Sequence, residues 1–214
     1  ELPYAPRQLR EGVIGMMGTF IDTIVVCSMT GLALLAYFGH CETPMSDEFG
    51  DSCMKGIVYL VNLGMKNDGR IATNYTANHW SYEHAIATYA LGEAATFCKE
   101  GKIEVPSLME VTGNAGQFII DHQNKNGGWA YLYAIEGGHT DVSVAGWQIQ
   151  ALKACSHTHL KYKKMEPAVK KGLAYLSSLQ NEDGGFGYNS KAVRPGLTGV
   201  GVLCFQMWGR EKSP

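Results

Sequence analysis

The sequence has few charged residues and no excess of either sign. Charged residues make up 18% of the 214, and the formal net charge is −2, so there is no general attraction to nucleic acid or to anionic lipid. The basic cluster at 157–171 lies between two apolar segments, and we interpret it as a solvated connection, with a phosphate-binding patch as the alternative. Because 45% of the residues are hydrophobic, the disordered and fibrous classes are excluded.

The sequence also lacks the common metal, nucleotide and nucleophile motifs. Dinucleotide-binding, Walker and nucleophile-elbow patterns are absent. The six cysteines are widely spaced, without a Cys-x-x-Cys pair (Cys27, Cys41, Cys53, Cys98, Cys155 and Cys204). This is not the spacing of a zinc site, and a disulfide framework is unusual in a chain of this length. We therefore predict no cofactor, no metal, and buried reduced thiols in a soluble, cytoplasmic protein.

An internal repeat runs through the sequence. Residues 114–130 read NAGQFIIDHQNKNGGWA, and residues 171–187 read KGLAYLSSLQNEDGGFG. Both copies place an aromatic and an aliphatic residue before a glutamine, then a glycine pair and a second aromatic residue. A third, degenerate copy begins at Lys55 and has lost the glutamine and the second aromatic residue. Such repetition is typical of repeat architectures.

Each copy is followed by an apolar segment rich in alanine and glycine. These segments span 82–94, 143–155 and 197–209, and a fourth at 28–40 precedes the first copy. One residue has the same place in each segment (Gly31, Ala85, Gly146 and Gly199). Segments that are apolar all round predict inner helices, whereas Val169, Leu173 and Leu176 recur at helical spacing opposite lysines and predict an amphipathic outer helix. The repeating unit is therefore a helix pair.

Polar residues mark the starts of two of the inner helices. Asp141 and Ser143 are predicted to cap the helix that contains Trp147, and Ser81 the helix that contains His84, because such side chains accept hydrogen bonds from free N–H groups.

We name the glutamine, the glycine pair and the second aromatic residue of each copy the clasp motif. The glycines, together with Asp183 in the second copy, are expected to provide the positive φ that a sharp turn needs. The glutamine is expected to bond backbone groups at the helix end, and the aromatic residue to cover the joint. We interpret these side chains as structural, with direct ligand contact as the alternative. The motif comprises Gln123, Gly127, Gly128 and Trp129 in one copy and Gln180, Gly184, Gly185 and Phe186 in the other.

The two clasp motifs and the apolar segments resemble the QW repeat of the squalene cyclase and prenyltransferase superfamily. They are particularly similar to squalene-cyclase-like bacterial repeat proteins. The resemblance covers residues 28–209 and implies an all-α fold, an α/α toroid with inner helices around a central cavity. Roughly seven or eight helices fit this length, a partial ring.

We divide the chain into an N-terminal segment of uncertain origin (1–27), a toroid repeat domain (28–209) and a tail (210–214). Because an open apolar edge is unfavourable in water, we expect the chain to be part of a longer ring, or its edge to contact another chain, including a second copy of itself. The first residue is Glu1, and no signal peptide is recognisable, so processing or excision is also expected.

Residues 10–35 resemble a membrane-spanning stretch of the alanine/glycine:cation symporter family. The residues between Asp22 and His40 are uncharged and are close to the lower length limit for a span. The same stretch repeats the inner-helix pattern. A core helix and a membrane segment therefore both remain open, and we favour the core helix.

The acid and metal motifs of the resembling enzymes are missing. No DxDD acid of squalene-hopene type cyclases occurs, nor the compact Asp-x-Cys of a prenyltransferase zinc site. His79, Glu83 and His84 form a polar trio that suits metal binding or proton transfer, with satisfied polar groups at a helix start as the alternative. The predicted cavity wall, which suits apolar ligands, consists of Trp80, Tyr82, Glu83, His84, Asp141 and Trp147.

We therefore favour a non-catalytic toroid module that binds a hydrophobic ligand or a peptide in its cavity. An isoprenoid-acting enzyme with unconventional or missing catalytic residues is the first alternative. A cation-symporter piece fused to a toroid is the second.

Overall fold

The computed structural model describes residues 26–209. Within this range the chain is all-α, as predicted, and has no strand beyond isolated bridges. The tail and most of the predicted N-terminal segment lie outside the described residues. The helices are α1 (Val26–Gly39), α2 (Gly50–Lys66), α3 (Trp80–Glu100), α4 (Leu108–Asp121), α5 (Val142–His157), α6 (Met165–Ser178) and α7 (Pro195–Met207), with a 3₁₀ turn at Tyr131–Tyr133.

The helices form two layers that alternate along the chain. α1, α3, α5 and α7 pack against one another in that order and make the first layer. α2, α4 and α6 form the second layer, and each packs on the first-layer helix that precedes it. The predicted helix pairs are therefore present, with the apolar segments in the first layer and the amphipathic segments in the second.

Small residues bring the first-layer helices together. Three glycines of this layer lie so close to the next first-layer helix that an added Cβ would come within 3.0 Å of a side chain there. Backbones can approach in this way only where a side chain is missing, which explains the alanine and glycine content of these segments. The pairs are Gly31 with Ile86, Gly92 with Ala154, and Gly146 with Val200.

Two clusters of buried side chains form the core. One joins α1, α2, α3 and α4 and includes Leu34, Ile57, Leu91 and Val111. The other surrounds α5 and includes Ile149 and Leu176 together with both clasp aromatic residues. Trp129 and Phe186 are 0% and 1% exposed, so each ring is buried between the elements that its motif connects.

The two glycines of each clasp motif are required for different reasons, the first for its backbone conformation and the second for its close packing. Gly127 and Gly184 have φ of +92° and +86°, which L-residues rarely adopt. Gly128 and Gly185 have no positive φ, but a Cβ there would approach Tyr175 to 2.9 Å or Val193 to 2.6 Å. The expected contribution of Asp183 to the turn is wrong, because Asp183 has no positive φ and Gly184 alone provides it in this copy.

The starts of α3 and α5 differ. Asp141 caps α5, where its carboxylate accepts a hydrogen bond from Val144 N at 3.0 Å, as predicted. The predicted cap at Ser143 is wrong, because Ser143 lies inside the first turn and its hydroxyl donates to Asp141. The predicted Ser81 cap of α3 is wrong. The cap position belongs to His79, and Ser81 Oγ is buried without a hydrogen-bond partner. The physical reason is that α3 begins at Trp80, which places Ser81 inside the first turn.

Candidate functional site

The structure separates the six predicted cavity residues into several environments. Tyr82 and Asp141 belong to one hydrogen-bonded cluster. Trp80 and His84 lie in a buried aromatic group. Glu83 binds the loop before α3. Trp147 is half-buried on α5.

Three tyrosine hydroxyls meet near the starts of α3 and α5. The Tyr82 hydroxyl lies 3.2 Å from that of Tyr131, which lies 2.8 Å from that of Tyr188. Tyr82 also bonds Ser143 Oγ at 2.6 Å, and Ser143 donates to Asp141 Oδ1. We name these five residues the tyrosine cluster.

The segment just after each clasp motif supplies a tyrosine to this cluster. Tyr131 and Tyr188 each stand two positions after the clasp aromatic residue, in GGWAY and GGFGY. The chain reversal at the glycines therefore brings equivalent tyrosines to one place. In addition, the Tyr188 carbonyl accepts a hydrogen bond from Val142 N at 2.9 Å, which fixes the second tyrosine to the start of α5. Sequence reasoning missed both tyrosines, although comparing the repeats two residues further would have found them.

The tyrosine cluster is partly open to solvent. Its three tyrosines and Ser143 are half-buried, whereas Asp141 is 0% exposed. The exposed His79 ring lies 5.7 Å from the Tyr131 ring, and the exposed His139 ring lies 5.7 Å from that of Tyr188. The cluster thus offers aromatic faces and hydroxyl groups side by side.

The electrostatics of the cluster favour neutral phenols. Burial is the main cause that raises the pKa of Tyr82 above its usual value, and Tyr131 and the Asp141 carboxylate raise it further. The pKa of Tyr188 is also raised, first by burial and then by its hydrogen bond to Tyr131 and by Asp141. At neutral pH these hydroxyls therefore act as hydrogen-bond donors and acceptors.

His84 has no nitrogen available for a metal or a proton. Its Nδ1 accepts from Ile71 N at 3.0 Å, and its Nε2 donates to the Ala115 carbonyl at 3.2 Å. Burial lowers the pKa of His84 to about 3. The polar trio predicted from the sequence is divided between solvent and core, since His79 is exposed whereas Glu83 and His84 are buried. Among residues 26–209, no three His, Cys, Asp or Glu side chains are grouped to hold a metal ion.

Glu83 and Trp80 are likewise engaged by their neighbours. Glu83 Oε2 accepts from both N and Oγ1 of Thr73 at 3.2 Å. Burial is the main cause of the raised pKa of Glu83. The Trp80 ring lies 4.7 Å from that of Tyr133 and also contacts Phe118. Both side chains thus stabilise the start of α3.

A separate apolar cavity of about 500 Å³ lies at the opposite end of α3. Lys99 and Glu104 also line it. None of the predicted cavity residues contributes to it. Its apolar lining consists of Ala95, Cys98, Ile103, Val105, Pro106, Leu108 and Met109.

The family model of the sodium:alanine symporter family matches residues 5–74. This confirms the N-terminal resemblance to cation symporters and extends it beyond residue 35, through α1 and α2. The match covers less than half of the 214 residues. No curated protein and no solved structure matches the chain. Among residues 26–209, every helix is too short or too polar to cross a membrane.

Proposed function

We propose that this chain is a non-catalytic α/α repeat module that binds a hydrophobic small molecule at the tyrosine cluster. The ligand class is an apolar body with one uncharged polar group. Aromatic faces bind the apolar part, and tyrosine hydroxyls orient a polar group. The toroid arrangement and the relation to squalene cyclase-like proteins are part of this proposal, as is the domain boundary near residue 28.

The observation that carries the proposal is the convergence of Tyr82, Tyr131 and Tyr188 from three segments. Their hydroxyls lie 2.8–3.2 Å apart along a chain of hydrogen bonds, and all three residues are partly exposed. Because the three tyrosines are partly exposed, a ligand can reach their hydroxyl groups, which donate and accept hydrogen bonds.

The buried titratable groups near the cluster favour binding over catalysis. Backbone groups occupy both nitrogens of His84. Asp141 caps a helix, and Glu83 bonds the main chain of Thr73. One oxygen of each carboxylate is bonded within the fold, and the other is buried without a hydrogen-bond partner. A general acid or base must be able to reach the proton that it transfers, and all three side chains are buried away from solvent.

Calorimetric titration with farnesol tests the proposal. We expect binding, and we expect Tyr131→Phe to weaken it about tenfold, since a lost hydrogen bond to a ligand corresponds to about 1.4 kcal/mol. Tyr89→Phe is the matched control, because Tyr89 is a half-buried tyrosine of α3 outside the cluster. Equal loss in both variants, or no binding of farnesol, would contradict the proposal.

Farnesyl diphosphate distinguishes binding from the isoprenoid-enzyme alternative. It has the same apolar chain with an anionic head, and the Asp141 carboxylate within the cluster disfavours a second negative charge. We expect weaker binding than for farnesol and an unchanged diphosphate after incubation. Release of a product would support the enzyme and overturn the non-catalytic role.

A second candidate function rests on the family match. Residues 5–74 match sodium:alanine symporters, which favours a symporter-derived N-terminal part fused to the repeats. The described part of this match forms α1, α2 and the turn before α3, which pack with the other helices. Sodium-dependent alanine uptake by liposomes reconstituted with the chain would support this candidate. Uptake equal to that of empty liposomes would count against it.

A further inference from the structure

Contacts between neighbouring first-layer helices follow one register. Gly31 and Gly146 occupy the same repeat position, and each contacts the residue just after that position in the next helix, Ile86 or Val200. The same offset recurs two turns later, between α3 and α5. Gly92 lies seven residues after Ala85, and its neighbour Ala154 lies eight residues after Gly146. The first-layer helices therefore lie parallel, and each presents a forward face to the next helix and a rear face to the previous one.

The forward face of α7 has no partner among residues 26–209. Gly199 is the counterpart of Gly31 and Gly146, yet a Cβ there would meet nothing within 4 Å. Val202, three residues later, is 45% exposed. Its counterparts Leu34 and Ile149 are 2% and 0% exposed, and they lie against Gly56 and Gly172 of the second-layer helix that follows. The exposure of Val202 therefore reflects the lack of a following second-layer helix within residues 26–209, and Gly199 is the residue that marks the forward face.

The rear face of α1 shows the complementary pattern. Leu32 follows Gly31 as Ile86 follows Ala85, and it is 37% exposed whereas Ile86 is 5% exposed. Met29 is 56% exposed, but its counterpart Val144 in α5 is 0% exposed. The two ends of the first layer are thus the unmatched halves of an interface that the chain forms three times internally.

We propose that a second copy of this chain occupies the forward face of α7 with its own α1. In the repeat register, Leu32 of the second copy lies against Gly199. The contact is heterologous, so repetition builds a closed ring or an open filament. Burial of the exposed Met29, Leu32 and Leu203 side chains from water drives the association.

Two charge substitutions test this assembly. Leu32→Glu disables the rear face of α1, and Gly199→Glu disables the forward face of α7; both positions are already exposed, so the fold tolerates the change. By light scattering after size-exclusion chromatography, we expect concentration-dependent assemblies for the wild type. Each variant alone should be monomeric.

An equimolar mixture of the two variants is the decisive sample. It contains one intact forward face and one intact rear face, so a complex of two chains should form. An isologous interface or nonspecific aggregation would not be restored by mixing. Val58→Glu on α2, where Val58 is 39% exposed, is the matched control and should assemble like the wild type.

A monomeric wild type, or a mixture that stays monomeric, would overturn the proposal. Coverage of α1 by residues 1–25 of the same chain would give these results. Loss of assembly in the Val58→Glu control would also overturn it. Circular dichroism and thermal unfolding should be the same in all variants, which separates a lost interface from a lost fold.

Discussion

The side-chain amide of Gln123 donates a hydrogen bond at 2.9 Å to the carbonyl oxygen of Ala168, 45 residues further along the chain. It also donates to the Gly127 carbonyl at 2.9 Å. Since Ala168 lies in α6, the glutamine connects the end of one second-layer helix to the start of the next. Gln180 makes only the local bond, to the Gly184 carbonyl at 3.0 Å. No second-layer helix follows α7 within residues 26–209.

The two clasp glutamines should therefore differ in their contribution to stability. Gln123→Ala removes two hydrogen bonds, one of them between repeats, and should lower the free energy of unfolding by about 2 kcal/mol. Gln180→Ala removes one local bond and should cost about 1 kcal/mol. Urea denaturation measures both. An equal loss in the two variants would contradict the inter-repeat role of Gln123.

Gly127 should be far less tolerant of alanine than another glycine with positive φ. Gly127→Ala strains the backbone and places a Cβ against the Lys171 carbonyl, so we expect a loss of more than about 3 kcal/mol. Gly137 has φ of +68° with open space around it, and Gly137→Ala should cost only about 1 kcal/mol. Thermal unfolding of the two variants measures the difference. Similar melting temperatures would contradict the close packing of Gly127 against the Lys171 carbonyl.

Stability should decrease below pH 6.5 because of His84. Its pKa is lowered to about 3 in the folded state. Below pH 6.5 the unfolded chain therefore binds a proton that the folded chain does not, and stability is lost as the pH falls. The slope approaches about 1.4 kcal/mol per pH unit from this residue alone. The raised pKa of Glu83 acts in the opposite direction.

A spectroscopic measurement isolates His84 from the carboxylates. We expect its imidazole nitrogen signals in NMR to show the neutral Nε2–H tautomer from pH 7 down to pH 5, because Nδ1 accepts from Ile71 N. Protonation of His84 near its ordinary pKa would mean that it is not buried as described.

Thiol reactivity should single out Cys41. It is exposed, whereas the other five cysteines are buried and free. Burial is the main cause that raises the pKa of Cys27, Cys155 and Cys204 to about 12, so the reactive thiolate form is scarce there. A disulfide-exchange reagent should modify one thiol rapidly in the native protein. Cys41→Ser should abolish that fast phase. Rapid reaction of more than one thiol in the native protein would contradict the burial of the other five cysteines.

Periodicity in the sequence was sufficient to predict the helix pairs. The spacing of Val169, Leu173 and Leu176 predicted an amphipathic helix, and α6 buries all three side chains. The Asp141 cap could also be predicted, because capping depends on local residue types. Ser81 shows the limit of this reasoning, since the helix begins two residues earlier than a Ser81 cap requires, with His79 at the cap position.

The tyrosine cluster was harder to predict because it depends on how distant segments meet. Tyr82, Tyr131 and Tyr188 come from different repeats, and only the chain reversals at Gly127 and Gly184 bring them together. The environment of His84 was unpredictable for the same reason, as its partners lie in the preceding loop and in α4.

The most direct measurement compares alanine at two glycines with the same repeat position. In dilute protein, Gly199→Ala meets open space and should stabilise α7 by about 0.5–1 kcal/mol, because alanine favours a helix. Gly146→Ala should destabilise the protein, since its methyl group overlaps Val200, and adding Val200→Ala should recover much of the loss. Equal effects of the two glycine substitutions, without rescue by Val200→Ala, would contradict the parallel repeat register.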